Sequence, residues 1–285
     1  MDSAMSPFAS MLMRNEGQID QIALAQRPVV VIDNGSYECR VGWSLSPTLC
    51  ASQQPWAHQV NKSHLRFKNQ IAKPKNSYDK DVDAVHIVGD ELSYFEQSKL
   101  QKKQIFDKDI VTNQGNLEHL LDYSFYNIGI RNQIESPVMM TEPLCNPNRC
   151  RALTSELMFE CYGVPALSYV VDHACGYFWH QSNQIGSREG ALADGLVIHS
   201  GHHSTHVVPI IDGKMSLKHS KRIPLGGHHH TEMVQRSLTL KYPQHKGVFG
   251  YEQALYIHQN HSFCAYDYAE QITFLEKIYD AERDL

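Results

Sequence analysis

Four histidines, His199, His202, His203 and His206, stand within the eleven residues IHSGHHSTHVV at 198–208, and three more, His228 to His230, follow Gly226-Gly227. Imidazoles at such density can bind a transition metal. His202 and His206 have the i, i+4 spacing that a zinc protease uses, but that use needs a helix with a glutamate between the ligands. Here Gly201 and the run Val207-Val208-Pro209 read as turn and strand. Strand positions four apart share a face but lie about 13 Å from each other, so one ion takes both only through a tight bend. A second kind of chemistry is suggested by Asp33-Asn34-Gly35-Ser36. A small-residue turn after a strand presents backbone N–H groups that cradle phosphate. No G-x-S-x-G sequence occurs, no cysteine has a recognisable histidine context, and a covalent nucleophile is not expected.

The two stretches are alike as elements. VVVIDNGSYECRVGW at 29–43 and GLVIHSGHHSTHVVP at 195–209 each read as a buried strand, a polar residue, a small-residue turn and a returning strand. Between them the pattern alternates. Asn113 is an N-cap candidate ahead of Leu117, Leu120, Leu121 and Phe125, which fall on one helical stripe. A strand is expected at 137–141. Asn146 and Pro147 are expected to cap and open a helix whose apolar face is Leu153, Leu157, Met158 and Cys161, ended by Gly163 and Pro165. A strand at 167–171 and a helix from about 172 to 180 follow. The Gly226-Gly227 pair precedes a helix carrying Met233, Val234 and Leu238. Two like openings separated by strands and helices predict a duplicated α/β unit.

In order along the chain, DNGS at 33–36, HIVGDEL at 86–92, DIVTN at 109–113, DYSFYN at 122–127, PVMMTEPLCNP at 137–147, LMFECYGVPAL at 157–167, SGHHSTHVVPIIDG at 200–213 and IPLGG at 223–227 resemble actin and the actin-related proteins. The resemblance runs from about Pro28 to Tyr242. It implies the actin-like, ribonuclease H-like duplicated ATPase fold, with the second half incomplete, since Leu285 falls inside what the family would call the fourth subdomain. FECYGVP, KRIPLGG and QRSLTLKYP look most like nuclear members that serve as structural subunits of INO-eighty class chromatin remodellers. That likeness implies a nuclear protein active in transcription regulation and DNA repair. Its implied partners are a remodeller ATPase, a small accessory subunit, and the nucleosome through histones and DNA.

The family's site carries over residue by residue as an expectation for ATP or ADP with Mg²⁺. Asp33 would hold water on the cation. Gly35, Ser36 and Tyr37 would offer N–H groups, and Arg40 stands where actin has a lysine. From the second loop Gly201, Ser204 and Thr205, and from the double glycine Gly227, would approach the nucleotide. Actin has aspartates matching His199 and His202, a glycine matching His203, and a glutamine matching Asp172, which His173 follows; His206 matches a histidine of actin. Imidazole, with an ordinary pKa of about 6.5, cannot reproduce a carboxylate's charge beside Mg²⁺. His228, His229 and His230 replace residues that actin uses near the ribose. The expectation is therefore residual nucleotide binding without appreciable hydrolysis; the alternative is an active nucleotide-binding ATPase or a cytoskeletal protein.

Composition is consistent with these expectations. The chain has 285 residues and a formal net charge of −5, which does not predict a basic nucleic-acid footprint over the whole molecule. No apolar run reaches the roughly 18 residues of a membrane span, and the N-terminus does not read as a secretory leader. The seven cysteines read as reduced, mostly buried thiols of an intracellular protein. The expected organisation is a loose tail at 1–26, a first half at 27–180 and a partial second half at 190–285. Within the first half lies a polar, basic insertion at 44–83 with little core of its own, whose lysines and arginine between 62 and 80 form either a solvated face or a partner-facing patch.

Overall fold

The computed structural model describes residues 27–44, 65–75, 86–94, 99–131, 133–184, 194–245 and 247–283. The expected tail at 1–26 and most of the insertion, including Lys62 and Lys80, lie outside the described residues. Contacts divide the chain into two compact units between Ile223 and Pro224. The hairpin that opens the second half in the sequence thus belongs to the same unit as the first sheet.

In the first unit, β1 (Val30–Asn34) and β2 (Glu38–Trp43) form a hairpin, and β3 (Leu65–Lys68) continues it. β4 (Ile71–Pro74) pairs antiparallel with β5 (Ile87–Val88) and β6 (Leu100–Lys103). β7 (Phe106–Asp107) and β8 (Ile110–Val111) make a two-residue reversal at Lys108-Asp109. Helix α1 (Gln114–Asn127) leads to β9 (Val138–Glu142), α2 (Asn148–Glu156), β10 (Leu167–Val171) and α3 (Asp172–Gln184). The main sheet has the order β10-β9-β1-β2-β3, with β10, β9 and β1 mutually parallel. A second sheet is built from β11 (Gly195–Ser200), β12 (Thr205–Ile211), β13 (Lys214–Met215) and β14 (Lys221–Ile223), with β11, β13 and β14 all pairing antiparallel to β12.

The α1 stripe forms as the spacing requires. Asn113 accepts from the Asn116 N–H at 3.0 Å, capping the helix. Leu117, Leu120, Leu121 and Phe125 are buried against Val30, Ile32, Val41, Phe67, Val138 and Met140. The insertion contributes more than its polarity suggested. Phe67 and Ile71 join this core, and Ala72 packs with Ile87, Leu92 and Leu100 in a small core of its own. Polar residues dominate that stretch, but strand alternation turns the adjacent Ile71 and Ala72 to opposite faces, each into its own core.

Three local expectations are corrected. Helix α2 begins at Asn148 behind Pro147 and has no side-chain cap; Asn146 instead donates to Glu142 at 3.1 Å. Of its expected apolar face, Leu157 and Met158 are buried, but Leu153 is 37% exposed and Cys161 is exposed. The helix passes into a π-helical turn at Leu157–Cys161. Cys150, Thr154, Leu157 and Met158 point inward, at the i, i+4, i+7 and i+8 spacing of one helical stripe. Among the described residues six cysteines are free thiols, and Cys145, Cys161, Cys175 and Cys264 are exposed rather than buried.

The second unit contains α4 (Gly227–Lys241), α5 (Tyr251–His261) and α6 (Tyr268–Arg283). Thr231 of α4 and Ala254 and Leu255 of α5 are buried. The Gln235 side chain donates to the Phe249 carbonyl at 3.0 Å. Met233 is 71% exposed, so the inward face of α4 runs through Thr231, Val234 and Leu238 instead. No helix among the described residues is long and apolar enough to cross a membrane.

Leu121→Ala is expected to lower unfolding free energy by about 2–5 kcal/mol through the cavity it leaves. Leu153→Ala, at the exposed position, is expected to change it by no more than about 0.5 kcal/mol. Urea midpoints of the two variants check both.

Candidate functional site

The two hairpins β1–β2 and β11–β12 place their turns together. Between β1 and β2, Gly35 is required by space, since a Cβ there would lie 2.8 Å from the Glu38 carbonyl oxygen. The Asn69 side-chain amide braces this turn, donating to Asn34 Oδ1 at 3.0 Å and the Gly35 carbonyl at 2.9 Å. The Asn69 N–H donates to the Tyr37 carbonyl at 2.8 Å. Thr141, on the neighbouring β9, accepts from the Asn34 N–H at 3.1 Å and donates to Asp33 Oδ1 at 2.9 Å. In the second turn a Cβ on Gly201 would sit 3.3 Å from the Ser204 carbonyl oxygen, which already accepts the Gly201 N–H at 2.9 Å. The Ser200 and Thr205 hydroxyls pair at 3.0 Å across its base.

Asp109, from the β7–β8 reversal, links the two turns. Ser36 Oγ donates to Asp109 Oδ1 at 3.3 Å, Ser204 Oγ donates to Oδ2, and the Arg222 guanidinium on β14 also donates to Oδ2, at 3.0 Å. The rings of Tyr37 and His202 meet at 5.0 Å between centroids, closing the same gap. His202 also packs on His203 at 4.5 Å.

A second cluster anchors the hairpin to α3. Asp172 opens that helix and accepts the His173 N–H at 2.8 Å, a favourable place for a carboxylate because of the helix dipole. Its Oδ1 lies against His173 Nδ1, and its Oδ2 lies 3.4 Å from His199 Nε2. His199 and His206 are cross-strand partners, and their rings lie 4.5 and 4.7 Å from that of the buried His173. Burial acts to raise the Asp172 carboxyl, but hydrogen bonding to His173 and the charges of His173 and His199 outweigh it and lower the pKa. Burial, then the charges of His173 and Arg222, lower the His206 pKa, with Asp109 and Asp172 acting weakly the other way.

Each residue expected at a phosphate site can now be placed. Arg40 pairs with Glu38 at 3.1 Å and approaches Asp33 at 3.5 Å. Glu38 is also gripped by Nε and Nη2 of Arg66, each at 2.8 Å. Burial would raise its carboxyl, but Arg66 and Arg40 together hold it below the usual range. Ser36 and Ser204 donate to Asp109, Thr205 engages Ser200, and the Gly201 N–H closes its own turn. Gly227 opens α4 in the other unit.

These partners decide how well Mg²⁺ would fit. A hard divalent cation needs several free oxygen ligands. Asp33 is engaged by Thr141 and Arg40, Asp109 by two serines and Arg222, and Asp172 by two imidazoles. Each carboxylate already has a protein donor, and the donor set does not fit a hydrated Mg²⁺ with a polyphosphate.

The histidine spacings resolve differently from a shared metal pair. His202 lies in the turn against Tyr37, while His206 lies on β12 against His173. In the triple-histidine stretch, His228 Nδ1 meets the Tyr251 hydroxyl at 2.9 Å and Nε2 meets Glu232 at 3.2 Å. His229 Nδ1 accepts the Gly226 N–H at 3.2 Å, and His230 stacks on His258. Asp109, Arg222, Thr141 and Asn69 were not singled out by sequence reasoning. DIVTN, PVMMTEPLCNP and KRIPLGG contain Asp109, Thr141 and Arg222 but gave them no role, and nothing local flags Asn69.

Two hairpins with apposed small-residue turns, the first backed by the parallel strands β9 and β10, define an α/β protein of the actin-like class. The profile of the family described as Actin matches residues 24–259, and the chain belongs to that family. It is 34% identical over 265 residues to Actin-related protein 5 of Drosophila melanogaster, covering 87% of this chain and 38% of that relative. Against Actin-related protein 5 of Homo sapiens the identity is 33% over 245 residues, covering 85% and 38%. Against that of Arabidopsis thaliana it is 32% over 253 residues, covering 87% and 32%. The chain spans less than two fifths of the length of these relatives.

The lowered His206 pKa fixes the sign of an acid dependence. Below its ordinary value of 6.5 the unfolded chain takes up a proton that folded His206 resists. The stability is therefore full above that value and is lost as pH falls through it. Asp172, also lowered, loses its contribution only below its ordinary 3.8. His206→Gln is expected to flatten the fall in urea midpoint between about pH 7 and pH 5; an unchanged slope would place the dependence elsewhere.

Proposed function

We propose that this chain is an actin-fold structural subunit of a nuclear chromatin-remodelling assembly of the INO-eighty class, and that it does not hydrolyse ATP appreciably. In this reading it helps the assembly engage nucleosomes, through histones and DNA, beside the remodeller ATPase and a small accessory subunit. It serves transcription regulation and DNA repair in the nucleus. The observation that carries the non-enzymatic part is the second turn, where His199 stands in contact with Asp172 at 3.4 Å. An imidazole there occupies the carboxylate that could have acted as a base on water. The likeness to Actin-related protein 5 supports the assembly and its location.

Two measurements test the proposal. Purified chain is expected to show no ATP turnover above that of an Asp33→Ala variant; turnover that this substitution abolishes would refute the non-enzymatic reading. Endogenous protein isolated from nuclear extract is expected to bring remodeller subunits and histones with it. Recovery without either would remove the assembly assignment.

A further inference from the structure

Three donors from three separate elements converge on the Asp109 carboxylate: the hydroxyl of Ser36 in the first turn, that of Ser204 in the second, and the guanidinium of Arg222 on β14. Hydroxyl and guanidinium donors of this kind are also what a phosphate oxygen accepts from. We infer that Asp109 is a built-in anion that closes the two turns on each other in place of a nucleotide's phosphates, so that this site holds together without nucleotide or divalent cation.

The surroundings support the same conclusion. The Asp109 side chain is only 17% exposed, so its interactions are less screened than those of a surface pair. It is delivered by a reversal in which Lys108 adopts a φ of 57°, a left-handed conformation that a non-glycine residue holds at a cost. Tyr37 and His202 add a ring contact across the same gap. Away from the gap each turn is braced separately, the first by Asn69 and Thr141, the second by the Asp172–His199 contact. Three further groups expected at the phosphates, Arg40, Thr205 and the Gly201 N–H, are likewise engaged within the chain. A phosphate would have to displace Asp109 from three partners while lying beside its negative charge.

The inference goes beyond the assembly assignment and is tested apart from it, on the purified 285-residue chain. Wild-type melting temperature is expected to move by no more than about 1 °C with millimolar MgATP, MgADP, or pyrophosphate in EDTA. A rise above about 4 °C with any of them, the stabilisation a saturating ligand supplies, overturns the inference. In Asp109→Asn, hydrogen exchange of the amides at 35–37 and 200–205 is expected to quicken about tenfold, the equivalent of one charge-assisted hydrogen bond. Added pyrophosphate is then expected to slow it again by occupying the freed donors. Unchanged exchange overturns the inference, and so does faster exchange that pyrophosphate fails to slow, because that is the signature of ordinary packing. Should Asp109→Asn fail to fold, the Ser36→Ala/Ser204→Ala variant removes the donors and keeps the carboxylate. It is expected to show the faster exchange without rescue by pyrophosphate, and wild-type exchange rates in it overturn the inference equally.

Discussion

β1 is hydrogen-bonded on both edges, antiparallel to β2 and parallel to β9, and its Val30 and Ile32 side chains are fully buried. A one-residue slip in either pairing would turn those side chains out of the core, so the register is fixed. That register sets Asp33 and Asn34 at the end of β1, opposite the Thr141 that holds both of them. The first turn can therefore be precise without a long loop to support it. The core beneath, filled by α1 and by Phe67 and Ile71, resists any shift that would move the turn.

The second hairpin is held differently. Among the described residues its sheet is wholly antiparallel and has no parallel strands behind it. Val208 and Ile210 of β12 are buried, while at the turn the ties to the rest of the unit are polar: Asp109 with Ser204 and Arg222, and Asp172 with His199. Polar contacts at partly exposed positions are worth less than a buried core. The first turn is thus placed by strand register, and the second meets it through charge and hydrogen bonding.

Periodicity was readable wherever the structure obeys a single local rule. The α1 stripe with its Asn113 cap, and the strand at Leu167–Val171, follow directly from spacing. At α2 Cys150 and Thr154 share the inward stripe with Leu157 and Met158, so a thiol and a hydroxyl hold places that apolar type alone assigned to Leu153 and Cys161. At α4 the exposed Met233 shows that side-chain type alone does not choose a face where Thr231 can pair with His258 instead. In the site, turn residues were visible but their partners were not. Ser36 and Asp109 are 73 residues apart and Asp109 and Ser204 are 95 apart, and no local rule relates them. The resemblance to actin named the donors; only three-dimensional placement showed that the Ser36 and Ser204 hydroxyls already share one carboxylate.

The contact between His199 and Asp172 also bears on how such a site could change over time. Restoring an aspartate at 199 alone would set two carboxylates against each other where an imidazole now lies 3.4 Å from Asp172, and like charges that close resist joint ionisation. Removing Asp172 alone would leave His199 and His206 packed on the buried His173 ring, with His173 and His199 deprived of the carboxylate they contact. Neither single step improves the site, and the two positions are coupled closely enough that their effects would not add. The two positions thus constrain each other: an acid at 199 is expected to be costly for as long as the Asp172 carboxylate stands beside it.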